Sequence, residues 1–229
     1  MFPLRDNTCS KTFPFVTLSI IAANSLIFVY EVSLGRNLGN FIEQFALVPS
    51  TLTACINEGW FGCIVAGKTL FTSIFLHGSW MHLISNMWYL WIFGDNVEDS
   101  MGHVRFVIFY LLCGGCGNIA QVISNAGSQI PSMGASGAIA AVLGAYFLFF
   151  PGARVVTLIP IFFFWQIIEV PAVFFLGVWF IMQFLNGLVS LPYAALMKGG
   201  IAWWAHIGGF ASGIVLGVLF VRKNRHRAY

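Results

Sequence analysis

The chain has little charge. Of its 229 residues, 8% are Asp, Glu, Lys or Arg, against about 25% in an average soluble domain. Eight acidic and eleven basic residues are too few to solvate the surface of a 25.3 kDa globule, which excludes a water-soluble domain. Also missing is the low hydrophobicity that disorder requires, since 59% of the residues are apolar. No phosphate-binding loop, nucleic-acid motif or useful internal repeat occurs. The solvent that suits this composition is a lipid bilayer. At about 20 residues per span, the length allows six or seven helices and leaves little for a soluble domain.

The charges divide the chain into uncharged runs: Thr12 to Tyr30, Thr69 to Gly94, Phe106 to Ala153, Val155 to Ile168, Val170 to Met197, and Gly199 to Val221. The third is too long for one helix. It holds a polar stretch with two glycines and a proline, Ser124 to Gly134, which reads as a loop joining two spans. The fourth is too short to span and ends near Pro171, so it reads as a connection feeding the next helix. The expectation is an all-α polytopic membrane protein. It has a single membrane domain over 1–221, with spans at about 14–32, 81–97, 104–123, 135–151, 170–188 and 203–221, and a basic tail at 222–229. The preponderance of Phe, Gly and Leu over alternating polar residues argues against a β-barrel. The first run is long, lacks a small-residue cleavage pattern and precedes five more spans, so it reads as a span and not a signal peptide.

Lys and Arg near span ends set the orientation. Arg222, Lys223, Arg225 and Arg227 place the tail in the cytoplasm, and an even number of spans puts Arg5 and Lys11 on the same side. The loop between spans three and four is uncharged, as an outside loop should be. The first outside loop, Glu31 to Lys68, is mixed, with two basic and three acidic residues. The expected location is a multi-pass protein of the cell membrane. The basic tail is explained by orientation and implies no nucleic-acid partner. Cys113-Gly114-Gly115-Cys116 has the spacing of a redox pair but lies in an apolar helix, where small residues serve packing. Cys55 and Cys63 share the first outside loop, where a disulfide is one of two open readings.

Polar side chains inside spans are costly, and four stand out: His82 and Asn86 in span two, Ser136 in span four, His206 in span six. Spans two, four and six all run from outside to inside, and each candidate lies near its span's N-terminal end. The four therefore share a depth just below the outer surface. His82 and Asn86, four residues apart, occupy one helix face. Taken singly, a serine that bonds its own backbone or a histidine in a helix contact would explain each; chance does not favour one depth and side for all four. Gly209, Gly213 and Gly217 form a ridge one turn apart in span six, matched by Ala140, Ala141, Gly144 and Ala145 in span four. If those faces meet, Ser136 and His206 come within hydrogen-bond reach, an alcohol beside an imidazole base. Gly134-Ala135-Ser136-Gly137 also sets the serine at a helix start, where free N–H groups stabilise an oxyanion.

Gly134-Ala135-Ser136-Gly137 opening a membrane helix, Ala205-His206 with Gly209 and Gly213, and His82-x3-Asn86 together resemble the rhomboid intramembrane serine proteases in their six-span form. The resemblance implies Ser136 as nucleophile and His206 as base. It implies an oxyanion hole of the Ser136 N–H with the His82 and Asn86 side chains, and Gly134 for close backbone approach behind the nucleophile. Gly137, Gly209 and Gly213 would serve helix packing, His77 a structural role, and Glu98 beside Gly102 a structural contact at the end of span two. Implied substrates are single-span membrane proteins with a small residue before the cut and an easily unwound helix nearby. The chain departs from the family at Lys68-Thr69, where some members carry Trp-Arg, and at Ala140, where some carry a tyrosine that stacks on the histidine.

Three other readings are weaker. A catalytically dead relative needs a missing nucleophile or base, and both are present. A transporter needs intramembrane acids or paired broken helices, whereas Asp95, Glu98 and Glu169 sit at span ends, where solvation is cheap. A zinc enzyme needs H-E-x-x-H; His77 and His82 are five apart and lack the Glu, so no metal and no cofactor is expected. No Asp or Glu is placed to complete a triad. The expectation is a dyad of Ser136 and His206 alone, with helix packing orienting the histidine.

Overall fold

A computed structural model describes residues 1–161, 164–191 and 200–222, apart from the side chains of 56–61 and 161. Lys223, Arg225 and Arg227 of the expected tail lie outside the described residues. Among those described, the helices are α1 (Phe15–Ser33), α2 (Leu38–Phe45), α3 (Pro49–Gly67), α4 (Thr69–Thr72), α5 (Trp80–Met101), α6 (His103–Ser124), α7 (Ser136–Phe149), α8 (Ala172–Ser190) and α9 (Trp203–Phe220). Three strands accompany them: β1 (Phe2–Asp6), β2 (Arg154–Ile161) and β3 (Phe164–Pro171).

The protein is a polytopic membrane bundle. Helices α1, α6, α8 and α9 are each long and apolar enough to cross a bilayer. Helix α7 is apolar but has only 14 residues, about 21 Å of rise against a hydrocarbon core of about 30 Å. Helix α5 is long enough but carries Asp95, Glu98 and Asp99 near its end.

Every residue of α7 from Gly137 to Tyr146 is buried. A helix apolar all round must be enclosed, and α5, α6, α8 and α9 pack about it. Its closest neighbour is α9. Gly209 lies against the Gly137 carbonyl, Gly213 against that of Ala141, and Gly144 against that of Phe210. With no side chains between them, the two backbones touch. The outward faces carry Leu26, Ile123, Val215 and Leu219, each about 70% exposed, which water would penalise and acyl chains match.

The structure departs from the sequence reading at the end of the bundle opposite Ser136. The segment 155–168, read as a connection, forms an antiparallel hairpin of β2 and β3, and β1 pairs with β2 to make a three-stranded sheet. Val155, Val156, Thr157 and Ile159 favour strand, and the lack of charge hid it. Helix α8 accordingly starts at Ala172, two residues later than expected. The Trp88 indole donates to the Pro3 carbonyl at 2.7 Å, and the Tyr146 hydroxyl donates to the Asp6 carboxylate. These bonds tie the sheet to α5 and α7.

The second departure concerns the acids. Helix α5 runs to Met101 instead of stopping at 97, and Glu98 is fully buried, not solvated at a span end. Its carboxylate accepts the N–H groups of Val16 at 2.9 Å and Thr17 at 2.7 Å, and the Thr17 hydroxyl at 2.7 Å. Those N–H groups lie in the first turn of α1, where no intrahelical carbonyl reaches them and negative charge is favoured. His103 Nδ1 is 2.6 Å from the carboxylate oxygen that also accepts the Val16 N–H. Gly102, at φ +85°, then turns the chain into α6, a conformation that glycine adopts without strain. Glu98→Ala leaves the α1 donors buried and unpaired. It is expected to cost about 3 kcal/mol or more, measured as a lower unfolding temperature in detergent.

Candidate active site

The Ser79 hydroxyl accepts the His82 N–H at 3.2 Å and caps α5, so the helix opens with His82 and Asn86 on one face. The loop before α7 is pinned from several sides. Leu47 and Ser132 exchange both backbone hydrogen bonds, at 3.0 and 2.7 Å, and the Gly134 N–H donates to the Ser73 carbonyl at 2.9 Å. Gly134 has φ +129° and lies against the His82 ring, where an added Cβ would fall 2.6 Å from Nε2. Its closest approach is thus to His82 and not behind the nucleophile. Both the dihedral and the contact require glycine there.

Ser136 is the first residue of α7. The Ile139 N–H makes a helical bond to the Ala135 carbonyl at 2.9 Å, whereas the N–H groups of Ser136, Gly137 and Ala138 precede the helical ladder. Ser136 Oγ lies 2.8 Å from Nε2 of His206, which is buried near the start of α9. The close α7–α9 packing makes this possible, with Gly137 set against Ala205 and Gly209 against Gly137. Ser136 is half-buried and faces a cavity of about 690 Å³ lined also by His82, Asn86, Met133 and Trp203. All four polar residues singled out in the sequence thus reach one cavity.

Packing alone does not orient His206. Its Nδ1 is 2.8 Å from Oε1 of Gln183 on α8. One turn earlier, Trp179 lies with its ring 6.0 Å from the imidazole and inclined by 31°, and Trp203 meets the ring edge-on at 6.1 Å. A neighbouring helix therefore provides what Ala140 cannot. Gln183 is a polar residue in an apolar span, but it lies in the C-terminal half of its helix and not near the N-terminal end, as the other four do.

On the other side of the cavity, Asn86 Nδ2 is 3.0 Å from His77 Nε2. Burial, with a smaller contribution from nearby His82, pushes the His77 imidazole down to about 4. It is neutral at physiological pH, and Nε2 accepts from the amide. Glu31 accepts the His77 N–H at 3.2 Å. Asn86 is thereby held with its second N–H available. Among the described residues, no group of three His, Cys, Asp or Glu side chains is placed to hold a metal. Cys55 and Cys63 form a disulfide, with Cα atoms 4.9 Å apart, while Cys113 and Cys116 are free. The chemical content of the site is an alcohol that can pass its proton to an imidazole, beside N–H donors that can receive negative charge.

A family model described as the rhomboid domain matches residues 66–223. The presenilin-associated rhomboid-like protein, mitochondrial, of Mus musculus is 33% identical over 220 residues, covering 90% of this chain and 49% of the relative. RHOMBOID-like protein 1 of Arabidopsis thaliana is 28% identical over 234 residues, 93% of this chain and 55% of the relative. Rhomboid protease GluP of Bacillus subtilis (strain 168) is 34% identical over 134 residues, 58% of this chain and 23% of the relative. The chain spans about half the length of the first two.

Proposed function

Because the chain belongs to the rhomboid family, we propose that it is an intramembrane serine endopeptidase that uses Ser136 and His206 as a dyad. The observation that carries this reading is the 2.8 Å contact between Ser136 Oγ and His206 Nε2 at the wall of a large cavity. In the first step Oγ attacks the scissile carbonyl while Nε2 takes the hydroxyl proton. The oxyanion is received by the Ser136 N–H and the side chains of His82 and Asn86. His206 then protonates the leaving amine, and water from the cavity hydrolyses the acyl-serine. The substrates are single-span membrane proteins with a small residue before the cut and a helix that unwinds readily.

Six spans follow on this reading: α1, α5, α6, α7, α8 and α9, with the short α7 setting the nucleophile below the outer surface. Both termini face the cytoplasm and the cavity faces outward. The Cys55–Cys63 disulfide supports that orientation, since such bonds persist in oxidising compartments. The relatives do not support the expected cell-membrane location, the mouse protein being mitochondrial by name.

The purified protein in detergent micelles should cut a single-span substrate at one peptide bond within or beside its membrane segment. Failure of the wild type to cut any panel of such segments would remove the proposal. Asn86→Ala should lower kcat by about 10²–10³-fold with KM little changed, as for loss of one oxyanion donor. An unaltered kcat would exclude Asn86 from the oxyanion hole.

A further inference from the structure

The dyad lacks an acid, yet its histidine has a fixed partner. Gln183 and His206 are both buried, 7% and 9% exposed, and come from adjacent helices. The Gln183 amide is held at both ends: its Nε2 donates to the Trp179 carbonyl at 3.3 Å, while Oε1 faces His206 Nδ1 at 2.8 Å. The Trp179 carbonyl can only accept, so the amide nitrogen stays with it and the oxygen points to the imidazole. An oxygen acceptor at Nδ1 requires a proton there. A neutral ring protonated at Nδ1 leaves Nε2 with a lone pair, aimed at Ser136. Donation therefore runs in one direction, from the Ser136 hydroxyl to His206 and from His206 to Gln183.

We propose that Gln183 is the positioning residue of the dyad, selecting the Nδ1–H tautomer of His206 and fixing the ring so that Nε2 serves as base toward Ser136. This rests on the protease reading above. A carboxamide can do this where a carboxylate could not easily be accommodated, because it accepts the same hydrogen bond without placing a net charge at membrane depth. As the imidazole gains a proton during attack, the Nδ1–H to Oε1 bond becomes charge-assisted and strengthens. Trp179 contributes twice, by its ring against His206 and by its carbonyl holding the amide.

The test compares wild type, Gln183→Leu, Gln183→Glu and Ser136→Ala on one fluorogenic transmembrane peptide, with unfolding temperatures measured in parallel. Gln183→Leu keeps the volume but accepts no hydrogen bond. Its kcat should fall by about 10–100-fold with KM unchanged, the loss expected when a catalytic group is misplaced. Gln183→Glu restores the acceptor and should recover most of the rate. Its anionic neighbour favours the imidazolium, so the acid limb of the pH–kcat profile should move up by about one unit or more. Nitrogen-15 NMR of labelled histidine, which needs no turnover, should find the His206 proton on Nδ1 in wild type and a mixture of tautomers in Gln183→Leu. An active wild type whose profile and tautomer are unchanged in Gln183→Leu would overturn the positioning role and leave the dyad standing. An inactive wild type overturns both.

Discussion

Replacing Ser136 with alanine should reduce cleavage by about 10⁴-fold or more, and His206→Ala should do the same. The double variant should be no slower than either single one, because a nucleophile without its base and a base without its nucleophile fail at the same step. The Ser136 hydroxyl bonds to His206, and the helix start at Ser136 is built from backbone, so the unfolding temperature of Ser136→Ala should stay within a few degrees of wild type. Additive losses in the double variant would mean that the two residues act at separate steps.

The second large effect is expected at the α7–α9 contact. In Gly213→Val the new Cβ would collide with the carbonyl oxygen, carbonyl carbon and Cα of Ala141, backbone atoms that cannot rotate aside. Separating the helices should cost about 3 kcal/mol or more, an unfolding temperature lower by about 10 °C for a chain of this size. It should also lengthen the Ser136–His206 contact, so that whatever remains folded cuts slowly. Gly217 supplies the control. A Cβ there meets only side-chain atoms of Phe149 and Ala145, at 3.4 and 3.6 Å, so Gly217→Ala should be tolerated. Equal behaviour of the two variants would show that the helices are not in backbone contact at Gly213.

The contrast within that ridge shows how far the sequence could be read. Three glycines one turn apart identified a close-packing face, but which of them touches backbone depends on the crossing of α7 and α9. The convergence of His82, Asn86, Ser136 and His206 was legible because depth in a bilayer follows from position along a span, and alternate spans run in the same direction. Gln183 lies in an odd-numbered span, which runs the other way. Its equal depth appears only when counted from the C-terminal end of α8. The sheet was hidden because hydropathy weighed an uncharged β-branched stretch as a connection next to spans, and its pairing partner, β1, is about 150 residues away in sequence. For Glu98 the resemblance implied a structural contact, which the structure shows, but the partners and the full burial were not readable. Its donors, Val16 and Thr17, are more than 80 residues distant, and nothing near Glu98 in the chain indicates that α1 would begin beside it.

The central claim is that the His206 imidazole activates the Ser136 hydroxyl, and covalent labelling tests it without any need for a substrate. A fluorophosphonate probe reacts with a serine in proportion to its nucleophilicity. Incubated with the folded protein and mapped by mass spectrometry of the digested chain, it should modify Ser136 in the wild type. Labelling should be lost in His206→Ala, whose Ser136 is still present but unactivated. Modification of a different serine, or equal labelling of Ser136 with and without His206, would contradict the account.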